Sequence, residues 1–381
     1  MFDPRYRTFA EKLVNHSCSL KPGEKLLLEV TGHEDVLAKE IIRAVYKAGG
    51  QPFLSLIDES LQKAWLTGGS DGISREALEA QARWDKARME EMDAYISISI
   101  KENTYEMLSV PEAVNTRYAQ YYRRPVHLET RQMKTKWTGI RYPNPSMAQA
   151  AGMPTEDFED FYLTVCNFDY ARLGEAGLAL KERMEKADRV EIKAPGADLS
   201  FSIKDIGCVS CEGLRNLPDG EVLTAPVKES VEGWIRYNTT SAYQGRLFRG
   251  VELHFSKGRI VEAKADVHNE AVQAILDTDE GARYIGEFAF GVNPAILHPI
   301  NDTLFDEKIT GSIHFTPGNT YRTANNGNHS GVHWDLVYIL REDYGGGSIL
   351  FDGELIQKDG RFMPPALQHL NPENLLKIIS G

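Results

Sequence analysis

The sequence contains no run of the roughly 20 apolar residues that a membrane-spanning helix needs, and residues 1–12 lack the apolar core of a secretory signal. A cytoplasmic protein with no membrane partner is therefore expected. Cysteine is scarce, with four in 381 residues. Cys18, Cys166, Cys208 and Cys211 are too few for a disulfide framework in a chain this long. Cys208 and Cys211 match C-x-x-C, but no second pair completes a structural zinc site. In a strand, residues three apart face opposite sides, so two idle thiols are expected. Long basic tracts are missing as well. Lys and Arg number 43 against 55 Asp and Glu, a net charge of −12, and such a chain repels nucleic-acid phosphates and anionic lipid. The densest basic stretch, Arg123, Arg124, Arg131, Lys134 and Lys136, reads as a solvated helix face. No G-x-G-x-x-G follows Val30, no G-x-x-x-x-G-K-[ST] occurs, and no H-E-x-x-H is present. Dinucleotide, phosphate-loop and zincin-helix chemistry are set aside on that ground.

What is present first is an alternation of patterns. Lys25-Leu-Leu-Leu-Glu-Val30 is a short apolar run after the turn Lys21-Pro-Gly. Residues 33–48 then carry helical spacing through Val36, Leu37, Ile41, Ile42 and Val45, and stop at Gly49-Gly50. Pro52-Phe-Leu-Ser-Leu-Ile-Asp58 reads as the next strand. A polar helix over residues 74–92 has Ser74 as its N-cap, and Ala94-Tyr-Ile-Ser-Ile-Ser-Ile100 alternates with period two. This β-α-β-α-β order predicts a doubly wound parallel sheet. A helical stretch over about 106–133, interrupted at Pro111 and Pro125, a strand near Thr138-Gly-Ile-Arg-Tyr142 and two further helices complete the first half. From Arg189 the pattern changes to repeated strands and turns, with one helix at residues 269–276. An α/β domain over residues 1–187 and a strand-rich α+β domain over residues 188–381 are the expected organisation, with two domains also implied by length.

The chemistry-bearing residues cluster in the second half. In Val332-His-Trp-Asp-Leu-Val337, a strand would put His333 and Asp335 on one face and Trp334 on the other. An imidazole beside a carboxylate on a rigid strand suits a divalent metal, although H-x-D alone fits equally a polar strand face with a satisfied histidine. Gly311-Ser-Ile-His314-Phe315 adds a histidine within an apolar strand, where a structural histidine is the plainer reading. Tyr321 follows seven residues later and could donate to an oxyanion or merely pack its loop, which also holds Asn325, Asn326, Asn328 and His329. Glu221 comes directly after the turn signal Pro-Asp-Gly. Glu287 interrupts the apolar Tyr-Ile-Gly-Glu-Phe-Ala-Phe290. A buried carboxylate needs compensation, from a cation or from a salt bridge to Arg283 or a lysine. Gly68-Gly-Ser70-Asp-Gly72 fits G-x-S-x-G, but a nucleophile elbow requires a preceding strand and residues 61–66 read as helix.

Taken in order, these segments resemble the thermophilic aminopeptidase T family of metallopeptidases. The likeness spans most of the chain and is strongest over about residues 215–362. It is carried by Asn216-Leu-Pro-Asp-Gly-Glu-Val, Leu276-Asp-Thr-Asp-Glu-Gly-Ala-Arg with Gly286-Glu287, Thr303-Leu-Phe-Asp-Glu-Lys, Gly311-Ser-Ile-His and His333-Trp-Asp. A weaker match lies in Tyr142-Pro-Asn-Pro-Ser-Met-Ala-Gln. The resemblance implies a cytoplasmic homodimeric exopeptidase acting on peptides with a free N-terminus through two divalent metal ions, zinc, cobalt, manganese or magnesium. Its implied ligands are Glu221, Glu287, Glu307, His314, His333 and Asp335, with Glu221, Glu287 and Tyr321 catalytic. Four carboxylates and two imidazoles exceed the four-coordinate need of one zinc and suit two cations sharing a carboxylate. A mononuclear iron ring-cleaving dioxygenase on a related scaffold, built on His314, His333 and Asp335, and a non-catalytic binding protein are the alternatives.

Overall fold

The computed structural model describes residues 3–380; Met1, Phe2 and Gly381 lie outside the described residues. The chain forms two compact units. One comprises residues up to Asn167 together with Gly213–Leu217, and the other comprises Phe168–Glu212 and the chain from Pro218 onward. The sequence reading put the helix Tyr170–Lys186 in the first half, whereas it is part of the second unit. The reason lies on its packed face. Gly174 and Gly177 leave no side chain there, and the Ser210 hydroxyl donates to the Gly174 carbonyl at 2.8 Å.

The first unit is the expected parallel sheet. Its strands are β1 (Lys25–Thr31), β2 (Gln51–Ile57), β3 (Ala94–Ser99) and β4 (Lys136–Arg141). The order is β2-β1-β3-β4, closed by the short strand Asn216–Leu217, with every pair parallel. The crossover helix Val36–Lys47 buries Leu37, Ile41 and Val45, the positions its 3.6-residue period selects. The Glu34 carboxylate accepts from the backbone N–H of Leu37 at 2.7 Å and Ala38 at 3.1 Å, satisfying two donors at the helix start. Ser74 caps the helix Arg75–Glu90 by accepting from Ala77 N–H at 3.2 Å, as the sequence suggests. The interruption expected at Pro125 is absent. A π-helical run, Ala119–Arg131, carries Pro125 inside it, and the carbonyl of Pro125 accepts from the Thr130 hydroxyl at 2.8 Å.

Besides a two-stranded antiparallel sheet formed by Ser241–Tyr243 and Arg246–Phe248, the second unit holds two large antiparallel sheets. The larger has eight strands, running in spatial order from Arg259–Lys264 at one edge, through Glu232–Arg236, Ala197–Ser202 and Arg189–Ala194, to Ser348–Phe351 and Arg361–Phe362 at the other. The smaller contains β5 (Val209–Ser210), β6 (Glu221–Thr224), β7 (Ile285–Gly291), β8 (Ser312–Pro317) and β9 (Val337–Ile339), in the order β9-β8-β7-β6-β5. An α/β parallel-sheet unit and a strand-rich α+β unit are thus the observed architecture. Among the described residues, no helix is long and apolar enough to cross a membrane.

Alternation along β7 and β8 separates core from site. Phe288 and Phe315 are paired across the strands and their rings lie 6.2 Å apart. Phe201 packs on both, at 5.0 and 5.1 Å. Those residues fill one face, and the residues between them, Glu287, His314 and Thr316, necessarily point to the other.

Candidate metal centre

Every residue of the set read from the sequence lies in the second unit, and the register of the smaller sheet explains why. Glu287 stands opposite Thr316, Ala289 opposite His314, and Glu221 opposite Gly291. Directly paired antiparallel residues share a face, so Glu221, Glu287, His314 and Thr316 all project from one side. Small residues keep that side open. A Cβ on Gly291 would sit 2.3 Å from the Ile309 carbonyl oxygen. Its absence lets the turn after the helix Thr303–Asp306 run close over the sheet, carrying Glu307 and Lys308.

His333 and Asp335 arrive differently from expectation. They do not sit within a strand. His333 makes an isolated bridge to Gly318, and regular pairing resumes only at Val337. The segment nevertheless runs alongside β8, with Trp334 N–H donating to the Pro317 carbonyl at 3.1 Å and Phe315 N–H to the Leu336 carbonyl at 3.0 Å, and Trp334 is anchored on the opposite side. Its ring lies 5.3 Å from Tyr243 and 4.8 Å from Phe248, and its Nε1–H donates to the Ser241 hydroxyl at 2.9 Å. His333 and Asp335 therefore share a face, with Nε2 and Oδ1 3.2 Å apart. The asparagines of the preceding loop hold it in place. Asn328 donates to the carbonyls of Gly281 and Gly318 at 2.8 and 2.6 Å, and Asn326 to those of Pro226 and Ile285 at 2.7 and 2.8 Å.

The two histidines are oriented alike. Nδ1–H of His314 donates to the Glu307 carbonyl at 3.1 Å, and that of His333 to the Asn319 carbonyl at 2.9 Å. A carbonyl only accepts, so each hydrogen bond places the proton on Nδ1 and turns Nε2 toward the cluster. Backbone anchoring of the distal nitrogen is the usual support of a metal-bound imidazole. Nε2 of His314 lies 2.8 Å from Glu287 Oε1 and 3.4 Å from Glu221 Oε2; Nε2 of His333 lies 3.7 Å from Glu287 Oε2. Three overlapping triads have donor atoms within 4.8 Å of one another: Glu221, Glu287 and His314; Glu287, His333 and Asp335; Glu307, His314 and Asp335. Two buried carboxylate oxygens, Glu221 Oε2 and Glu287 Oε2, have no hydrogen-bond partner among the described residues. An orphaned buried carboxylate oxygen is costly, and a divalent cation is the partner that this mixed oxygen and nitrogen donor set fits.

The electrostatics match that crowding. Burial pushes Glu307 up to about 8, with Lys308 opposing and Asp335 and Glu221 adding to the rise. Glu287 is likewise raised by burial, against the pull of His314. For Glu221, burial is outweighed by Lys308 and His314, and the carboxyl lies below its ordinary value. Burial lowers His314, yet Glu287 and Glu221 more than offset it and raise the ring to about 9. For Asp335, burial is overcome by His333 and by the hydrogen bond from Thr316, 2.8 Å from Oδ1, and the group is strongly lowered.

Tyr321 borders the cluster, its ring edge-on to His333 with centroids 5.8 Å apart, and it is 43% exposed. His329 is exposed and outside the triads. Arg283 pairs with Asp277 at 2.6 Å, so it does not compensate Glu287. Two residues of the site, Lys308 and Thr316, went unread in the sequence, and a third, Cys211, was read only as a thiol without a role. Lys308 is buried with Nζ 2.7 Å from both Glu221 Oε1 and Glu307 Oε1; its signal was a lysine adjoining a candidate ligand. Thr316 shares the face of His314 two residues on. Cys211, expected to be idle, lies with Asp219 and Glu221 in a further donor group, and no local pattern marks it. The G-x-S-x-G decoy is preceded by the helix Glu59–Thr67, which excludes a nucleophile elbow.

A buried sheet face carrying clustered carboxylates and backbone-anchored imidazoles is the donor set of a metallohydrolase. Residues 2–362 match the thermophilic metalloprotease (M29) family model, and the chain belongs to that family. It is 32% identical over 265 residues to aminopeptidase T of Thermus thermophilus, an alignment covering 60% of this chain and 64% of that protein. It is 24% identical over 400 residues to aminopeptidase 2 of Geobacillus stearothermophilus, covering 93% and 95%. Among solved structures, wild-type AmpT from Thermus thermophilus superposes with a TM-score of 0.76 at 23% identity, covering 96% of this chain and 100% of that one. A dihydroxypyridine dioxygenase from Pseudomonas putida superposes less well, with a TM-score of 0.57 at 14% identity over 95% and 98%. The fold is common to both.

Proposed function

We propose that this protein is an aminopeptidase that removes N-terminal residues from peptides with the help of two divalent cations held by Glu221, Glu287, Glu307, His314, His333 and Asp335. The observation that carries the reading is the matched orientation of His314 and His333, each with Nδ1 tied to a backbone carbonyl and Nε2 turned toward Glu287, at 2.8 and 3.7 Å. Glu287 and Asp335 each belong to two of the triads, so either carboxylate could be shared between the two cations. The number of donors argues against a single iron held by His314, His333 and Asp335 alone. Membership of a metalloprotease family and the aminopeptidase names of its relatives point the same way.

When bound, the cations would supply a polarised scissile carbonyl and a water acidic enough to ionise near neutral pH. The protein's own groups do the rest. Glu221 or Glu287 accepts the proton of the attacking water and returns it to the leaving amine. Tyr321, at the rim of the cluster, donates a hydrogen bond to the oxyanion. The excess of carboxylates receives the free α-ammonium of the substrate, which restricts cleavage to chain ends. Zinc, cobalt, manganese and magnesium all suit the oxygen-rich donors. A cytoplasmic homodimer completes the reading on family grounds.

The test is hydrolysis by metal-stripped protein, restored with each metal in turn, on amino-acid p-nitroanilides and on their N-acetylated counterparts. Turnover of the free amines alone, recovered with about two metal equivalents per chain, is the expected result. Equal cleavage of the acetylated compounds, or one iron with consumption of oxygen, would overturn it.

A further inference from the structure

The side chain of Lys308 is 2% exposed and its ammonium lies among carboxylates, 2.7 Å from Glu221 Oε1, 2.7 Å from Glu307 Oε1 and 3.9 Å from Asp219 Oδ1. A cation beside a cluster fit to bind cations repels what the cluster collects, so its place there needs an account. The backbone supplies part of it. Lys308 N–H donates to the Phe305 carbonyl at 2.9 Å, and its own carbonyl accepts from Asn293 N–H at 3.0 Å. Both flanks of the residue are thereby pinned. The side chain is held at its other end by two acceptors that come from different elements, one from β6 and one from the turn after the helix Thr303–Asp306.

The ammonium sorts the oxygens of Glu221. Oε1 is taken by Lys308, whereas Oε2 has no hydrogen bond among the described residues and lies 3.4 Å from His314 Nε2, inside the cluster. We propose that Lys308 is a positioning residue that grips one oxygen of Glu221 and one of Glu307, so that each carboxylate offers a single fixed oxygen to the metals. The proposal rests on the two-metal reading above. Without the grip, both carboxylates rotate freely, and each can chelate with two oxygens or swing out of reach. With it, the two are locked to each other across the gap between β6 and the turn, at a separation that one ammonium sets.

Sign separates this role from simple charge compensation. If Lys308 acts only through its charge, removing it makes the cluster more negative and metal binding tightens. If it positions the carboxylates, removing it weakens binding. The measurement is calorimetric titration of the metal-stripped full chain with Zn²⁺ alone, for wild type, Lys308→Met and Lys308→Arg, with thermal unfolding recorded for each metal-free protein. Lys308→Met is expected to weaken one of the two zinc equivalents by about tenfold or more, the loss typical of supports behind metal ligands, and to lower kcat rather than raise KM once metal is saturating. Lys308→Arg keeps the charge and displaces the donors, so a smaller loss, roughly threefold or more, is expected from the same cause. Tighter or unchanged zinc binding in Lys308→Met overturns the proposal. Should that variant not fold, an isotherm for Lys308→Arg superimposable on wild type overturns it equally, because charge alone would then suffice. A wild-type chain that binds fewer than two equivalents sinks the two-metal reading itself, a different failure.

Discussion

His314 and Glu287 meet from neighbouring strands, Nε2 to Oε1 at 2.8 Å, with both side chains almost wholly buried. In a metal-free protein the contact favours the charged imidazole, since Glu287 and Glu221 raise the ring to about 9. In the proposed metal-bound enzyme the same two atoms become donors to a cation. Replacing Glu287 with Gln preserves shape and removes the charge. The expected outcome is loss of bound metal and a fall in kcat/KM of roughly 10²–10⁴-fold, checked by metal analysis alongside kinetics. Full activity that a chelator still abolishes would place the metal elsewhere.

Tyr321 allows a cleaner separation of binding from chemistry. It touches the cluster through an edge-on ring contact with His333. Tyr321→Phe should keep metal content and thermal stability, and should lower kcat by roughly 10²–10³-fold if the phenol serves a developing oxyanion. An unchanged kcat with an altered KM would assign the ring to substrate packing instead.

The legibility of this molecule from its sequence divides along physical lines. Periodicity located the parallel unit, because apolar spacing at Leu37, Ile41 and Val45 and the alternation of residues 94–100 are local properties. Glu287 was conspicuous because a charge within an apolar strand must be compensated. The Trp334 anchor, the pairing of Glu221 with Gly291 and the closeness of Ile309 to Gly291 depend on strand register. Register is a non-local quantity, and a single sequence does not display it. Lys308 was missed for the same reason. Beside Glu307 it reads as an ordinary surface lysine, and only the chain reversal over the sheet makes it a buried partner of Glu221. Pro125 misled in the opposite direction, since a π-helical run accommodates it without a break.

Trp334 gives the register argument a test. It is 1% exposed and holds the extended segment that sets His333 and Asp335 side by side. Truncation to Ala removes a large buried ring and its hydrogen bond to Ser241, at a cost of about 3–5 kcal/mol. Denaturant unfolding should report that loss. Metal affinity should fall too, because the extended backbone is no longer pinned. A destabilised variant that binds metal as tightly as wild type would show that the strand pairing at Gly318 and Val337 suffices to orient the pair.

His127, in the first unit, carries a pH dependence independent of the metal centre. Its ring packs against Tyr95 at 6.3 Å and Tyr122 at 6.0 Å. Burial, reinforced by Arg131 and Arg123, pulls the imidazole down to about 4. In the unfolded chain the ordinary value is about 6.5. Between those values the unfolded chain binds the extra proton and the folded one does not. Stability from this group is therefore complete above pH 6.5 and drains away as the pH falls toward 4. Between pH 7 and pH 5 the wild type should lose on the order of 2 kcal/mol more than His127→Phe, at about 1.4 kcal/mol for each pH unit below 6.5. Denaturant titrations of the metal-free proteins at the two pH values measure the difference directly. Equal losses in both proteins would mean that the imidazole reaches water and takes up its proton without unfolding.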